Sequence, residues 1–143
     1  MKPFINLFLL SSVWLILITT AYVHCAVTVH TSLSVTGYKG QVVILPCSVT
    51  ISDPGVKVVS VAWSSPAKEA DLAVYHPRHG TSYPGETNSS RIHFRRPSQQ
   101  DATLMINNSS KSDSGIYTCS WTTFPKGIFS SKTKLNISGC RLR

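Results

Sequence analysis

Acidic residues and catalytic motifs are both scarce in this sequence. Asp and Glu number 6 among 143 residues, against 14 Lys and Arg, and so few carboxylates make a paired acid–base site difficult to assemble. No Gly-x-Ser-x-Gly elbow and no glycine-rich phosphate loop occurs. His76 and His79 lack a neighbouring Cys or carboxylate, and a strand followed by a turn is expected to aim them apart. We therefore predict that the protein is not an enzyme and has no metal site and no cofactor.

Long apolar runs are confined to the N-terminus. A basic start precedes an almost uncharged apolar run up to Ile18, which predicts a signal peptide over residues 1–25, cleaved after Cys25. A signal anchor is the alternative, since about 18 apolar residues can span a bilayer, but polar residues such as Asn6 interrupt the run. No second run follows, so we expect secretion without membrane insertion. The cell surface is expected if the full-length protein continues into a transmembrane segment.

Cysteine is also rare, and its number fits the secretory route. The chain has four cysteines, of which Cys47, Cys119 and Cys140 remain once residues 1–25 are removed. An oxidising compartment favours one disulfide and leaves one thiol over. Four Asn-x-Ser/Thr sequons predict glycosylation on the same route. They lie at Asn88, Asn107, Asn108 and Asn136.

Positive charge is in excess but dispersed. The formal net charge is +8, which in general favours polyanionic partners. Only Arg95-Arg96 and a short C-terminal tail, residues 139–143, group their cations, so solubility is the favoured interpretation and no nucleic-acid partner is predicted. The alternative function is a basic secreted effector that binds anionic glycans or microbial surfaces. Its residues would be Arg95, Arg96, Lys132, Lys134, Arg141 and Arg143.

Helical periodicity is absent from residue 26 onward. Short alternating runs separated by Gly, Pro, Asn and Asp turns predict an all-β sandwich or barrel, formed as one domain over residues 26–138. The candidate strands are 27–35, 41–49, 57–64, 71–76, 90–95, 102–107, 115–122 and 128–137.

Three features narrow this sandwich to an immunoglobulin domain. Cys47 and Cys119 lie in two predicted strands 72 residues apart. Trp63 follows the first cysteine by 16 residues, and Tyr117 precedes the second by two. These are the spacings of the inter-sheet disulfide, the tryptophan that packs on it and the tyrosine corner.

An additional strand pair makes the predicted domain variable-type. The stretch between Trp63 and Arg91 is long enough for it, which gives a V-type Greek-key sandwich of about nine strands. Arg91 is then expected to form a salt bridge with Asp113 across one end of the sandwich.

Side-chain alternation divides the strands into a core side and an outer side. If Cys47, Trp63 and Cys119 point inward, so do Val43, Leu45, Val49, Val59, Val61, Tyr117 and Trp121. The outer side then carries Ser60, Ala62, Ser64, Thr118, Ser120 and Thr122, together with Ala73 and Tyr75 if Leu72 and Val74 face inward. These residues are small or weakly apolar and uncharged. No sequon falls on the three predicted strands that carry them, 57–64, 71–76 and 115–122. We therefore predict that this outer side is a binding face.

Two segments of this face resemble the first V domain of the nectin and poliovirus receptor family. Ala73 and Gly80 match the alanine-six-residues-glycine motif of that family, and Thr123-Phe124-Pro125 matches its Thr-aromatic-Pro motif. Val59-Ser60-Val61 matches a third motif in part, because the family has glutamine at the last position. The similarity covers roughly residues 33–138.

The resemblance implies a docking mode and a partner. The partner would be the V-type domain of a nectin-like or poliovirus-receptor-like protein, or a second copy of this chain, in adhesion or immune recognition. Phe124 would act as a key, held out by a turn at Pro125 and Gly127, and the lock would be the partner's counterpart of 73–80, walled by Tyr75 and His76. The alternative is that Phe124 folds back over Trp121. The protein would act as a soluble or truncated form.

Overall fold

The computed structural model describes residues 26–85 and 91–139. The predicted signal peptide, Asn88, Cys140 and the tail arginines lie outside them. Within these ranges the chain forms eleven β-strands and one short 3-10 turn, Lys111–Asp113. The strands are β1 (Val27–Thr31), β2 (Ser34–Tyr38), β3 (Val43–Leu45), β4 (Cys47–Ile51), β5 (Lys57–Ser64), β6 (Ala73–His76), β7 (Gly80–Ser82), β8 (Ile92–Phe94), β9 (Leu104–Ile106), β10 (Gly115–Phe124) and β11 (Gly127–Ser138).

Two layers of sheet enclose the core. One layer is a six-stranded sheet in the order β2-β11-β10-β5-β6-β7. The other consists of the three-stranded sheet β3-β9-β8 and the pair β1-β4, which are joined by a bridge between Ser48 and Asp101. The predicted all-β sandwich is confirmed. No helix within the described residues has the length and apolar character needed to cross a membrane.

The disulfide and two tryptophans lie between the layers. Cys47 of β4 is bonded to Cys119 of β10. Trp63 and Trp121 are completely buried, and each indole nitrogen has an acceptor: Trp63 Nε1 donates to the carbonyl of Ala102 at 2.7 Å, and Trp121 Nε1 donates to Cys47 Sγ at 3.1 Å. Both large rings therefore enter the core without leaving a donor unsatisfied.

Two predicted strands are each divided in the structure. The run predicted over 27–35 leaves one layer after β1 and enters the other as β2, which pairs in parallel with β11. The run predicted over 41–49 breaks at Pro46, which has no N–H to donate to a ladder. Gly37, predicted as part of a turn, lies within β2, where a Cβ atom would come within 2.5 Å of Val43 Cγ2. The close approach of the two layers therefore requires glycine there.

The end of the sandwich opposite the β10–β11 turn is tied by Arg91 and Asp113. The guanidinium donates two hydrogen bonds to the carboxylate, at 2.7 and 2.9 Å, and the N–H of Ser110 donates a third at 2.9 Å. Burial raises the pKa of Asp113, but these hydrogen bonds and the charges of Arg91 and Lys68 outweigh it, so its pKa lies below the ordinary value. The Tyr117 hydroxyl donates to the carbonyl of Asp113, as expected of a tyrosine corner.

Candidate binding face

The outer face of the six-stranded sheet is formed mainly by β5, β6, β10 and β11. Tyr117, Cys119, Trp121 and Thr123 of β10 are buried, so alternation directs the residues between them outward. Antiparallel pairing extends this outer set to β5 and β11, because Ser120 lies opposite Ala62 on one side and Ser130 on the other. The middle of the face carries Ser60, Ala62, Ser64, Thr118, Ser120, Thr122 and Ser130, all partly or fully exposed.

A β-bulge near the start of β5 changes the predicted orientation of Val59. Thr122 pairs with Ser60, whereas Thr123 pairs with Val58, so Val59 has no partner on β10. The prediction that Val59 faces the core is wrong, since the side chain is 47% exposed. The extra residue of a bulge resets the alternation, and the inward position passes to Val58.

The register of β6 corrects two of the predicted binding residues. Ala73 pairs with Trp63 and Tyr75 pairs with Val61, so both side chains point inward with their partners. Ala73 is 0% exposed, and Tyr75 packs edge-on against the ring of Phe94. Leu72 is also buried, but it precedes the strand and does not set its alternation. The outer position belongs to Val74, opposite Ala62.

Phe124 projects from the end of this face. Its side chain is 70% exposed, so it does not fold back over Trp121. β10 continues through Phe124, and the turn consists of Pro125 and Lys126, with a cis Phe124-Pro125 peptide bond. The strand predicted over 115–122 is therefore two residues longer in the structure.

Thr123 supports the turn from the inner side of the sheet. Its side chain is buried, and Oγ1 donates to the carbonyl of Gly127 at 2.7 Å. Gly127 has φ +95°, which glycine adopts without strain. The predicted contact by Thr123 is therefore replaced by an internal hydrogen bond that holds the residues on either side of Phe124.

Ile128 is an exposed apolar residue that sequence reasoning missed. It lies on β11 opposite Thr122, on the outer face, and is 68% exposed. The available signal was alternation: Leu135 and Ile137 are apolar at odd positions of the strand, which sends even positions outward. Phe124, Ile128 and the bulged Val59 together place three exposed apolar side chains toward one end of the sheet.

The β6–β7 hairpin lies at the same end. Its turn, Pro77 to His79, is closed by a hydrogen bond from the N–H of His79 to the carbonyl of His76 at 3.1 Å, and Gly80 follows with φ +81°. The two imidazoles meet edge to face with centroids 5.9 Å apart. The prediction that they point apart is therefore wrong, because the turn folds the chain back. No group of three or more His, Cys, Asp or Glu among the described residues is arranged to hold a metal ion.

A groove of about 1200 Å³ opens between this hairpin, the start of β5, the end of β4 and Gln99-Gln100. Its walls include Val59, Phe124 and the hairpin turn, and its charged or titratable lining residues are Lys57, His76, Arg78 and His79. No Asp or Glu lines it. Phe124 thus borders a groove whose lining is apolar, neutral polar and basic, without a carboxylate.

The remaining predicted residues are distributed around the fold. Asn107 and Asn108 follow β9 in the other layer, whereas Asn136 is exposed on the outer side of β11, beyond the last residue that pairs with β10. Arg95 and Arg96 follow β8, in the layer opposite Lys132 and Lys134 of β11. The described cations of the alternative glycan site therefore lie on different sheets. Arg141 and Arg143 are outside the described residues.

Comparison with known proteins gives related chains with V-type domains. The family model of the immunoglobulin V-set domain matches residues 30–138. Nectin-2 from Homo sapiens is 34% identical over 117 residues, 72% of this chain and 22% of Nectin-2. T-cell surface protein tactile from Bos taurus is 36% identical over 89 residues, 57% of this chain and 16% of tactile. The solved Ig1 domain of mouse SynCAM 2 aligns with a TM-score of 0.57 and 29% identity, covering 78% of this chain and 97% of that domain.

These similarities concern one domain of longer proteins. The chain spans about a fifth of the length of the curated relatives it matches. What the chain shares with these relatives is the V-set domain. The matched V-set region, residues 30–138, includes nearly all of both layers, the disulfide and the exposed Phe124. The chain belongs to the immunoglobulin V-set family and contains a nectin-like V-type domain.

Proposed function

We propose that this protein binds the V-type immunoglobulin domain of a nectin-like or poliovirus-receptor-like partner, in cell adhesion or in immune receptor–ligand recognition. The contact surface is the outer face of the six-stranded sheet. Similarity to Nectin-2 and to a T-cell surface protein supports the class of function. The shape and composition of this face support the mode of binding.

The exposure of Phe124 is the observation that carries the proposal. A phenylalanine that is 70% exposed keeps a large apolar ring in water, which is unfavourable unless a partner covers it. The Thr123–Gly127 hydrogen bond holds the flanking backbone, so little further freedom is lost when the ring is buried by a partner. Such an aromatic has the properties of an interface hot spot.

The middle of the face is suited to close packing against a second sheet. Its small, uncharged side chains have few rotamers to lose and no charges to desolvate. Val74, half-buried on the outer side of β6, takes the place of Ala73 as the residue of the lock that faces outward, beside Ala62 and close in sequence to the basic hairpin. Ile128 adds an apolar contact next to Thr122.

The proposal extends to where the protein acts. We propose that residues 1–25 are removed as a signal peptide and that the domain over 26–138 is displayed outside the cell, secreted or at its surface. The disulfide supports an oxidising compartment. An exposed Asn136 is accessible to glycosylation at the far end of the same sheet.

Truncation of Phe124 tests this function. Phe124→Ala is expected to weaken binding to a panel of nectin-like V domains, including those of human Nectin-2 and bovine tactile, by at least ~2 kcal/mol, or about 30-fold. Its melting temperature should stay close to the original value. Ile44→Ala is the matched control, because Ile44 is an exposed apolar residue of β3 in the other layer. Binding is measured by surface plasmon resonance. If the two variants bind with equal affinity, or if Ile44→Ala binds more weakly than Phe124→Ala, the proposed face is contradicted.

A further inference from the structure

The strands of the six-stranded sheet contain no acidic residue. None of β2, β5, β6, β7, β10 and β11 includes an Asp or Glu. Three exposed lysines lie on the outer face: Lys57 opposite Phe124, Lys132 opposite Thr118 and Lys134 opposite Ile116. All charged side chains on the strands of the binding face are therefore positive, although the middle of the face is uncharged.

Positive charge surrounds Phe124 in particular. Lys57 is its cross-strand neighbour and Lys126 follows it by two residues in the turn. Arg78 and Lys57 line the groove that Phe124 also borders, together with the two histidines of the hairpin. Asp53 lies in the loop before β5 but does not line this groove, and its carboxylate accepts a hydrogen bond from the N–H of Gly55 at 2.8 Å.

This distribution bears on self-pairing. A two-fold dimer applies the same patch of both copies to each other. If Phe124 of one copy entered the hairpin side of the other, Lys57 and Lys126 would approach a second set of Lys57 and Arg78. Like charges brought together at an interface oppose binding, whereas carboxylates at the same points would favour it.

We infer, resting on the proposed function, that this face selects a heterophilic partner whose pocket for Phe124 is rimmed by carboxylates, and that it does not pair with itself. The exposed aromatic supplies affinity, and the surrounding cations decide which V-type domain is accepted. A polyanionic glycan fits less well, because the lysines are separated by small neutral residues and Arg95-Arg96 lies on the other layer.

Charge reversal in a mixture tests this inference. The variant Lys57→Glu/Arg78→Glu/Lys126→Glu changes three exposed side chains, and thermal melts should show that it folds. Sedimentation equilibrium is expected to show the original protein and the variant each monomeric alone. An equal mixture should associate at least ~10-fold more tightly than either protein with itself, and the association should weaken as salt is raised.

The outcomes separate this inference from the proposed function. Self-association of the original protein as tight as that of the mixture, or a mixture that stays monomeric, overturns the inference. If Phe124→Ala in both proteins abolishes association of the mixture, the proposed face is supported as well. If association persists without Phe124, the charge selection stands and the proposed role of Phe124 fails. Heparin binding by the original protein combined with a monomeric mixture assigns the cations to a polyanion instead.

Discussion

Two threonine hydroxyls on the inner side of the six-stranded sheet differ in whether they find an acceptor. Thr123 Oγ1 donates to the carbonyl of Gly127. Thr133 of β11 is 0% exposed, and among the described residues its Oγ1 has no hydrogen-bond partner. A buried hydroxyl without a partner loses its hydration and receives nothing in return. Replacement of threonine by valine therefore removes a hydrogen-bonded hydroxyl at position 123 and an unpaired hydroxyl at position 133.

Thr133→Val is expected to raise the free energy of unfolding by about 1 kcal/mol, because it removes the unpaired hydroxyl and keeps the shape of the side chain. Thr123→Val is the matched control. It should lower that free energy by about 1 kcal/mol, since the Gly127 carbonyl loses its donor. Urea unfolding of the two variants measures both, and a loss of stability in Thr133→Val would show that its hydroxyl is satisfied.

Asp113 makes the stability of the fold depend on acid pH. Its pKa is lower in the folded protein than its ordinary value, so folding favours the ionised form. The resulting stabilisation is fully present above the unfolded pKa and is lost as pH falls through the folded pKa. The relevant window therefore lies below about pH 4.

Asp113→Asn is expected to lower the free energy of unfolding at pH 7 by about 2 kcal/mol, because the charged acceptor of Arg91 and Ser110 is lost. The difference from the original protein should shrink as pH falls below about 4. Denaturant unfolding at pH 7, 4 and 2.5 measures this. A difference that is constant across these pH values would mean that Asp113 is not the titrating group.

The alternation of inward and outward side chains within one strand could be predicted from the sequence. Which residues of the next strand point inward could not. The inward positions of β10 and most of β5 follow from Cys119 and Trp63, and they are confirmed. The bulge at Val59 and the connection between β5 and β6 each reset the phase. That connection contains Ser65-Pro66 and other turn residues, whose conformation determines which side chain of β6 first turns inward. Phe124 could be singled out from the sequence, whereas Val74 and Ile128 required the register.

The register of β6 predicts that arginine substitutions at Ala73 and Val74 have different effects on folding and on binding. Ala73→Arg places a charge in the core opposite Trp63 and should prevent folding or cost more than about 4 kcal/mol. Val74 is half-buried on the outer face, where a long side chain can extend into solvent, so Val74→Arg should melt near the original temperature but lower binding to nectin-like V domains at least ~10-fold. Thermal melts and plasmon resonance compare the two. A folded Ala73→Arg variant would show that the register is shifted by one residue.

At the scale of the whole fold, the Cys47–Cys119 disulfide links β4 of one layer to β10 of the six-stranded sheet. Cys47 and Cys119 are separated by 72 residues in sequence, so the bond restricts a long loop of the unfolded chain. Trp121 of the same sheet donates to Cys47 Sγ and depends on the sulfur being there. The disulfide and this hydrogen bond therefore tie the six-stranded sheet to the layer beneath it.

Cys47→Ala/Cys119→Ala is expected to lose roughly 3–5 kcal/mol of stability on the chain-entropy estimate. Calorimetry of the double variant beside the original protein measures the change. A loss below about 1 kcal/mol would mean that packing around the two tryptophans suffices to hold the layers together.

Mapping the contact surface by nuclear magnetic resonance tests the proposed function most directly. Labelled protein would be titrated with an unlabelled nectin-like V domain that binds it, and amide shifts would be followed residue by residue. We predict the largest changes at Ala62, Val74, Thr122, Phe124 and Ile128, with little change on β3, β8 and β9. Changes concentrated on β3, β8 and β9, with those five amides unaffected, would contradict binding through the six-stranded sheet.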